Sequence, residues 1–208
     1  MIPVNVLAVR YLANASPALA KGLGAPAGMP SLGMLTTDCD DATYIALDAA
    51  TKAADVQVSF GRSFYAGAAN ASTPNAGEVI GVLAGATPGA VRSGMEAALS
   101  ALERLGFEEA HGVPFLAHTV ASVGSFLAKE AGVPMGSAIA YLIAPPLEGM
   151  YAMDAALKAA DVKLCKLYTP PSETNFGGGL LSGTQSACQA ACAAFAAAVA
   201  EVAASPRE

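Results

Sequence analysis

The chain has 208 residues, 11 of them Lys or Arg and 17 Asp or Glu, so 13% are charged, where an ordinary soluble domain carries about 25%. The formal net charge is −6 and no basic run occurs, which excludes a nucleic-acid partner, because such binding is driven by counterions that lysine and arginine release from phosphate. Alanine supplies 48 residues and aromatics 6%, with no tryptophan, so the apolar content consists of small side chains; closely packed Ala-rich helices and surface hidden in an assembly are expected.

Short apolar runs bounded by turn residues predict strands, and Ala-rich runs predict helices. VNVLAVRYL is a predicted strand, and its Arg10 and lack of secretory order argue for a mature cytoplasmic start. A helical Leu19-Ala20-Lys21 segment, a Gly/Pro turn and the buried strand SLGMLTT follow. The acidic tetrad Asp38-Cys39-Asp40-Asp41 comes next, then the helix ATYIALDAATKAA and the strand VQVSF. A Gly-, Ser- and Asn-rich loop is expected over 61–77, then the strand GEVIGVLAGA and a helix from Thr87. The second half runs PFLAHTVASV (strand), Leu127-Ala128-Lys129 (helix), SAIAYLIA (strand), GMYAMDAALKAA (helix), VKLCKLY (strand), a loop over 169–179, GGLLSGT (strand) and the helix TQSACQAACAAFAAAVAEVA. The uncharged stretch Thr174–Ala200 is too polar at its start and too rich in alanine for a membrane span.

The two halves are copies. DAATKAADV at 48–56 and DAALKAADV at 154–162 share eight of nine residues at a spacing of 106, and the Leu-Ala-Lys segments, each with a following Gly and Pro, recur at a spacing of 108. A tandem duplication follows, copy one at 1–110 and copy two at 111–208, each an α+β module of short strands and two main helices.

The acidic tetrad permits two readings. Paired aspartates could hold Mg²⁺ or accept a phosphoryl group, which would make a Mg-dependent phosphotransferase or hydrolase. Acidic residues at a helix start also complement its dipole and cap free amides. Copy two has Ala144-Pro145-Pro146-Leu147 there, so the feature belongs to one half. Cys188 and Cys192 lie one helical turn apart and suit small core positions better than a metal site, and the four cysteines fit reduced thiols. His111 and His118 have no triad partners, and the glycine-containing loop from Gly61 lacks the ending of a phosphate-binding loop. No enzyme, metal or cofactor is therefore expected. Lys52 and Lys158 sit alike near the ends of matching helices, where a cation suits the dipole or can lie along a partner's surface.

LGML and AYLIA, DAATKAADV and DAALKAADV, GEVIGVLAG and TPGAVRSGMEAAL together resemble the bacterial microcompartment (BMC) shell domain, and two such domains cover nearly the whole chain. The strings SLGMLTTDCDDATYIALDAATK, FGRSFYAGAA, AYLIAPPLE and PPSETNF resemble the tandem, circularly permuted shell proteins of ethanolamine-utilisation compartments. The resemblance implies a pseudo-hexameric homotrimer of two-domain chains, tiling edge to edge with other shell proteins around a cytoplasmic compartment, with a gated central pore for small metabolites. It implies that Lys52 and Lys158 make lateral edge contacts. It also implies that Phe64, Tyr65, Gly67, Ala68, Asn70, Asn175, Phe176 and Gly177 line the pore. Asp40, Asp41, Glu78 and Phe107 would then bind a small amine such as ethanolamine, the carboxylates taking the ammonium and the ring adding cation–π attraction. A soluble ligand-binding regulator on the same fold is the remaining alternative.

Overall fold

The computed structural model describes residues 1–64, 77–170, 172 and 174–207. In chain order its elements are β1 (Ile2–Pro3), β2 (Val6–Leu12), α1 (Pro17–Gly22), β3 (Ser31–Thr37), α2 (Asp40–Ala53), β4 (Val56–Phe64), β5 (Glu78–Gly85), α3 (Pro88–Leu102), β6 (Gly106–Ala110), β7 (Val113–Val120), α4 (Ser125–Ala131), β8 (Ala138–Ala144), α5 (Pro146–Ala159), β9 (Val162–Tyr168), β10 (Gly177–Gly183) and α6 (Gln185–Ala204). The chain divides into two compact units, one of Pro3–Leu105 with Gly124–Leu127, the other of Met1–Ile2, Gly106–Val123 and Ala128–Glu208.

The first unit is a four-stranded antiparallel sheet, β2-β3-β5-β4. Small residues set how closely helices approach it: a Cβ on Gly81 of β5 would stand 2.5 Å from Leu47 Cδ1 of α2. The helix α3 begins on Thr87, whose hydroxyl accepts the Ala90 amide at 3.2 Å, with Pro88 at the first helical position, where a missing N–H costs nothing. Ala15, Leu32, Val82 and Ala84 form a cluster in this unit against which Ala20, Leu23, Met29, Met34 and Phe60 pack.

The second unit carries a six-stranded sheet, β1-β6-β7-β8-β10-β9. Its core joins Phe115, Leu142 and Leu181 to Met153 of α5 and to Cys188, Cys192 and Phe195 of α6. Both cysteines are buried, as small core residues are; Cys192 also meets Thr119 Oγ1 at 3.3 Å, and burial raises its thiol to a pKa of about 11. The helix α6 is capped by Thr184, whose hydroxyl accepts the Ala187 amide at 3.1 Å. It is long and apolar enough to cross a bilayer by length and composition, and its buried stripe lies in this core.

Several boundaries differ from the sequence expectation. GFEEA is strand β6, paired with β7 through a two-residue turn in which His111 (φ 49°) and Gly112 (φ 83°) both adopt positive φ, the backbone that matches strand twist in tight hairpins. Five residues with two glutamates show too little alternation to announce a strand. Gly61–Phe64 continue β4, because pairing with β5 extends to Phe64↔Glu78. Gly177–Gly179 open β10, so Gly177 is a strand residue paired with Ala144 rather than part of the loop. The helix α2 starts at Asp40, two residues before its apolar pattern.

Candidate functional site

The first unit places the acidic tetrad at the turn from β3 into α2. Threonine hydroxyls build this turn: Thr37 Oγ1 and Thr43 Oγ1 are 2.7 Å apart, Thr43 donates to the Cys39 carbonyl at 2.7 Å, and the Cys39 amide donates to Thr37 Oγ1 at 3.2 Å. Cys39 stands just before the helix and gives it no side-chain cap, and Asp40 and Asp41 fall in its first turn, where the dipole favours negative charge. Asp38 is committed elsewhere, accepting the Asn5 amide at 2.8 Å and Asn5 Nδ2 at 2.7 Å. Burial, then the nearby Asp41 charge, pushes the Cys39 thiol well above its usual range, which favours the protonated thiol.

Asp40 and Asp41 are both buried. The Asp40 carboxyl accepts the Asp41 amide at 2.9 Å and is hydrogen-bonded by Ser63, whose Oγ also receives the Tyr44 hydroxyl at 3.3 Å. These bonds do not compensate for desolvation: burial, followed by repulsion from Asp41, holds the Asp40 carboxyl well above the usual carboxylate range. Ser63 lies opposite Val79 on β5, and the next pair in register is Phe64↔Glu78. Glu78 is thereby brought to the same end of the β4–β5 pair as Ser63 and Asp40. It is buried, and its Oε1 has no hydrogen-bond partner among the described residues. A buried carboxylate oxygen lacking a donor and a carboxyl that resists ionisation, both at this end of the β4–β5 pair, leave that end short of positive charge.

Phe107 belongs to the second unit, where its ring is fully buried and meets Phe176 edge-on at 5.9 Å between centroids. Asn175 has φ 64°, and Gly177 is buried in β10. Phe64 ends β4 half-buried, while Tyr65, Gly67, Ala68 and Asn70 lie outside the described residues. Lys52 Nζ stands 3.4 Å from Asp48 Oδ2 and Lys158 Nζ 2.5 Å from Asp154 Oδ2, each one helical turn from its acid. Among the described residues, no three His, Cys, Asp or Glu side chains converge as a metal site requires.

Three groups escaped the sequence reading. Asp48 accepts the Gly124 amide at 2.7 Å and the Leu127 amide at 2.8 Å, closing the start of α4; its signal was present in the repeated DAA string, whose lysine alone drew notice. Ser63 and Tyr44 support Asp40 through contacts that no local pattern announces. In the second unit Glu130 takes both Lys166 and, at 3.2 Å, the Tyr168 hydroxyl.

The chain carries two units, each an antiparallel sheet with two main helices, joined in tandem, and residues 31–114 match the model of the BMC domain family, which places it in that class. The chain is 55% identical to the bacterial microcompartment shell protein EutL of Clostridium perfringens over 99% of its own length and 97% of that protein. It is 47% identical to the protein of that name from Escherichia coli K12, covering 99% and 96%. The crystal structure of the ethanolamine utilization protein EutL from Leptotrichia buccalis superposes with a TM-score of 0.93 at 55% identity, covering 100% of this chain and 97% of that one. The chain belongs to the EutL family of bacterial microcompartment shell proteins. It is a structural component of such a shell and not an enzyme, which leaves the tetrad without a phosphoryl-transfer role.

Proposed function

We propose that three copies of the chain close into one perforated tile, that tiles meet edge to edge with other shell proteins, and that the Asp40–Asp41–Glu78 pocket binds a small primary ammonium such as ethanolamine. Two like modules per chain close a sixfold-like ring with three chains. Lys52 and Lys158 serve the tile edges, and Phe64, Asn175, Phe176 and Gly177 border the central opening.

The observation that carries the ligand reading is the partnerless Glu78 Oε1 at the same strand end as the Asp40 carboxyl. An ammonium brings three donors and one positive charge, which satisfies Glu78 and relieves the penalty on ionised Asp40 together. A neutral alcohol of the same size supplies donors without charge and binds more weakly. Calorimetric titration with ethanolamine hydrochloride tests this: the wild type gives a saturating heat, while Asp40→Asn and Glu78→Gln each lose about tenfold or more in affinity, as the loss of one charged hydrogen bond implies. Equal binding by all three proteins rejects the pocket. Light scattering tests the tile independently, a threefold chain mass being the expected result.

A further inference from the structure

Asp40 and Tyr44 lie one helical turn apart on α2, so both side chains leave the same face of the helix. Gly61 and Ser63 of β4, two positions apart, likewise share one face of the strand. The Tyr44 ring lies over Gly61, where a Cβ would stand 3.2 Å from Tyr44 Cε1. From that seat the ring meets Phe126 at 5.9 Å between centroids, and its hydroxyl donates to Ser63 Oγ at 3.3 Å. Ser63 in turn is hydrogen-bonded to the Asp40 carboxyl.

A serine hydroxyl carries one proton and two lone pairs, while an ionised carboxylate only accepts. With Tyr44 donating into a lone pair of Ser63, the serine's own proton is left for Asp40, which favours the ionised form. The ionisable groups around this end of the unit are Asp38 and Cys39 on the turn before α2, Asp41 in its first turn and Glu78 at the start of β5. Arg62, beside Ser63 on β4, is exposed, and the segment 124–127 packed against Tyr44 carries no charge. Asp41 opposes ionisation of Asp40, so the two hydroxyls work against their surroundings. In the second repeat, 106 positions on, Pro146 replaces Asp40 and Met150 replaces Tyr44. The tyrosine hydroxyl occurs in the half that carries the acid.

We propose that Tyr44 is a positioning residue of the ammonium site: its hydroxyl fixes that of Ser63, which in turn holds the Asp40 carboxylate for the ligand's charge. Tyr44 acts through Ser63 and not on the ligand itself. This role rests on the ligand reading above, but its effect on Asp40 is measurable with no ligand present.

Carbon-13 NMR of the aspartate carboxyls follows Asp40 in the free protein, its signal identified by its loss in Asp40→Asn. Tyr44→Phe keeps the ring and its contact with Phe126 and deletes only the hydroxyl. It is expected to raise the Asp40 midpoint by about half a pH unit. In calorimetry one unit below the wild-type midpoint it is expected to weaken ethanolamine binding by about threefold, which is the same free energy. Ser63→Ala is expected to give about one unit and about tenfold, while Ser63→Thr, which keeps a hydroxyl, stays close to the wild type. The double variant Tyr44→Phe/Ser63→Ala is expected to match Ser63→Ala, because the tyrosine hydroxyl has no other route to Asp40. A midpoint unmoved by Tyr44→Phe, or effects that add in the double variant, overturns this role and leaves the pocket standing. A wild type that gives no ethanolamine heat overturns the ligand reading, while the midpoints still decide whether Tyr44 acts on Asp40 through Ser63.

Discussion

Glu78 stands directly opposite Phe64 at the open end of the β4–β5 pair, so its carboxylate is buried where its neighbour across the ladder offers a ring and no donor. One position back, Ser63 holds Asp40. Strand register therefore brings Glu78 and the Ser63–Asp40 contact to one end of the sheet.

Asp40 makes stability depend on pH in a stated direction. Its folded carboxyl is held above the unfolded value of about 3.9, so it supports the fold fully below about pH 4, and that support is lost as pH rises through the raised folded value. Asp40→Asn is expected to remove this part of the profile and to raise the urea midpoint at neutral pH. Denaturation from pH 4 to 8 checks it; parallel profiles for wild type and variant count against the burial argument.

The same titration governs the ligand. Because an ammonium favours ionised Asp40, its affinity is expected to rise with pH across that window, by at most about tenfold per unit for one linked proton, with a proton released on binding. Calorimetry in two buffers of different ionisation enthalpy measures that proton directly.

Repeat-related acids are expected to differ in what they do for the single chain. Asp48→Ala strips two buried amides of their acceptor and leaves Lys52 without its carboxylate, a loss of about 3 kcal/mol. Asp154→Ala removes only an exposed pair and is expected to cost less than about 1 kcal/mol in the monomer. Urea midpoints at a concentration below assembly compare the two.

Phe107→Ala is expected to cost about 3–5 kcal/mol, since it empties a fully buried ring site and removes the edge contact with Phe176. Phe176→Ala, half-buried, is expected to cost clearly less. Equal losses would mean that the ring contact, and not burial, dominates.

Gly81→Ala inserts a methyl 2.5 Å from Leu47 Cδ1 and is expected to cost about 1–3 kcal/mol. In a Leu47→Ala background the clash has no partner, so the cost of the same change is expected to shrink, which a double-mutant cycle reads as coupling.

Most elements were legible because their causes are local. The run SLGMLTT, the Thr87 and Thr184 caps and the alanine-filled helices announce themselves within a few residues, and the duplicated DAATKAADV string announced that two like modules exist. Strand β6 was missed because its pattern is short and polar, and its pairing with β7 depends on the His111-Gly112 turn.

Electrostatic character was set at longer range. Asp48 and Asp154 share an almost identical nonapeptide, yet one is sealed by amides 76 and 79 positions away while the other faces solvent. The residues alone determined a duplicated α+β chain with few charges; only the folded chain decided which carboxylates lost their water and which kept it. Desolvation depends on what packs over a group, and a local sequence does not record that.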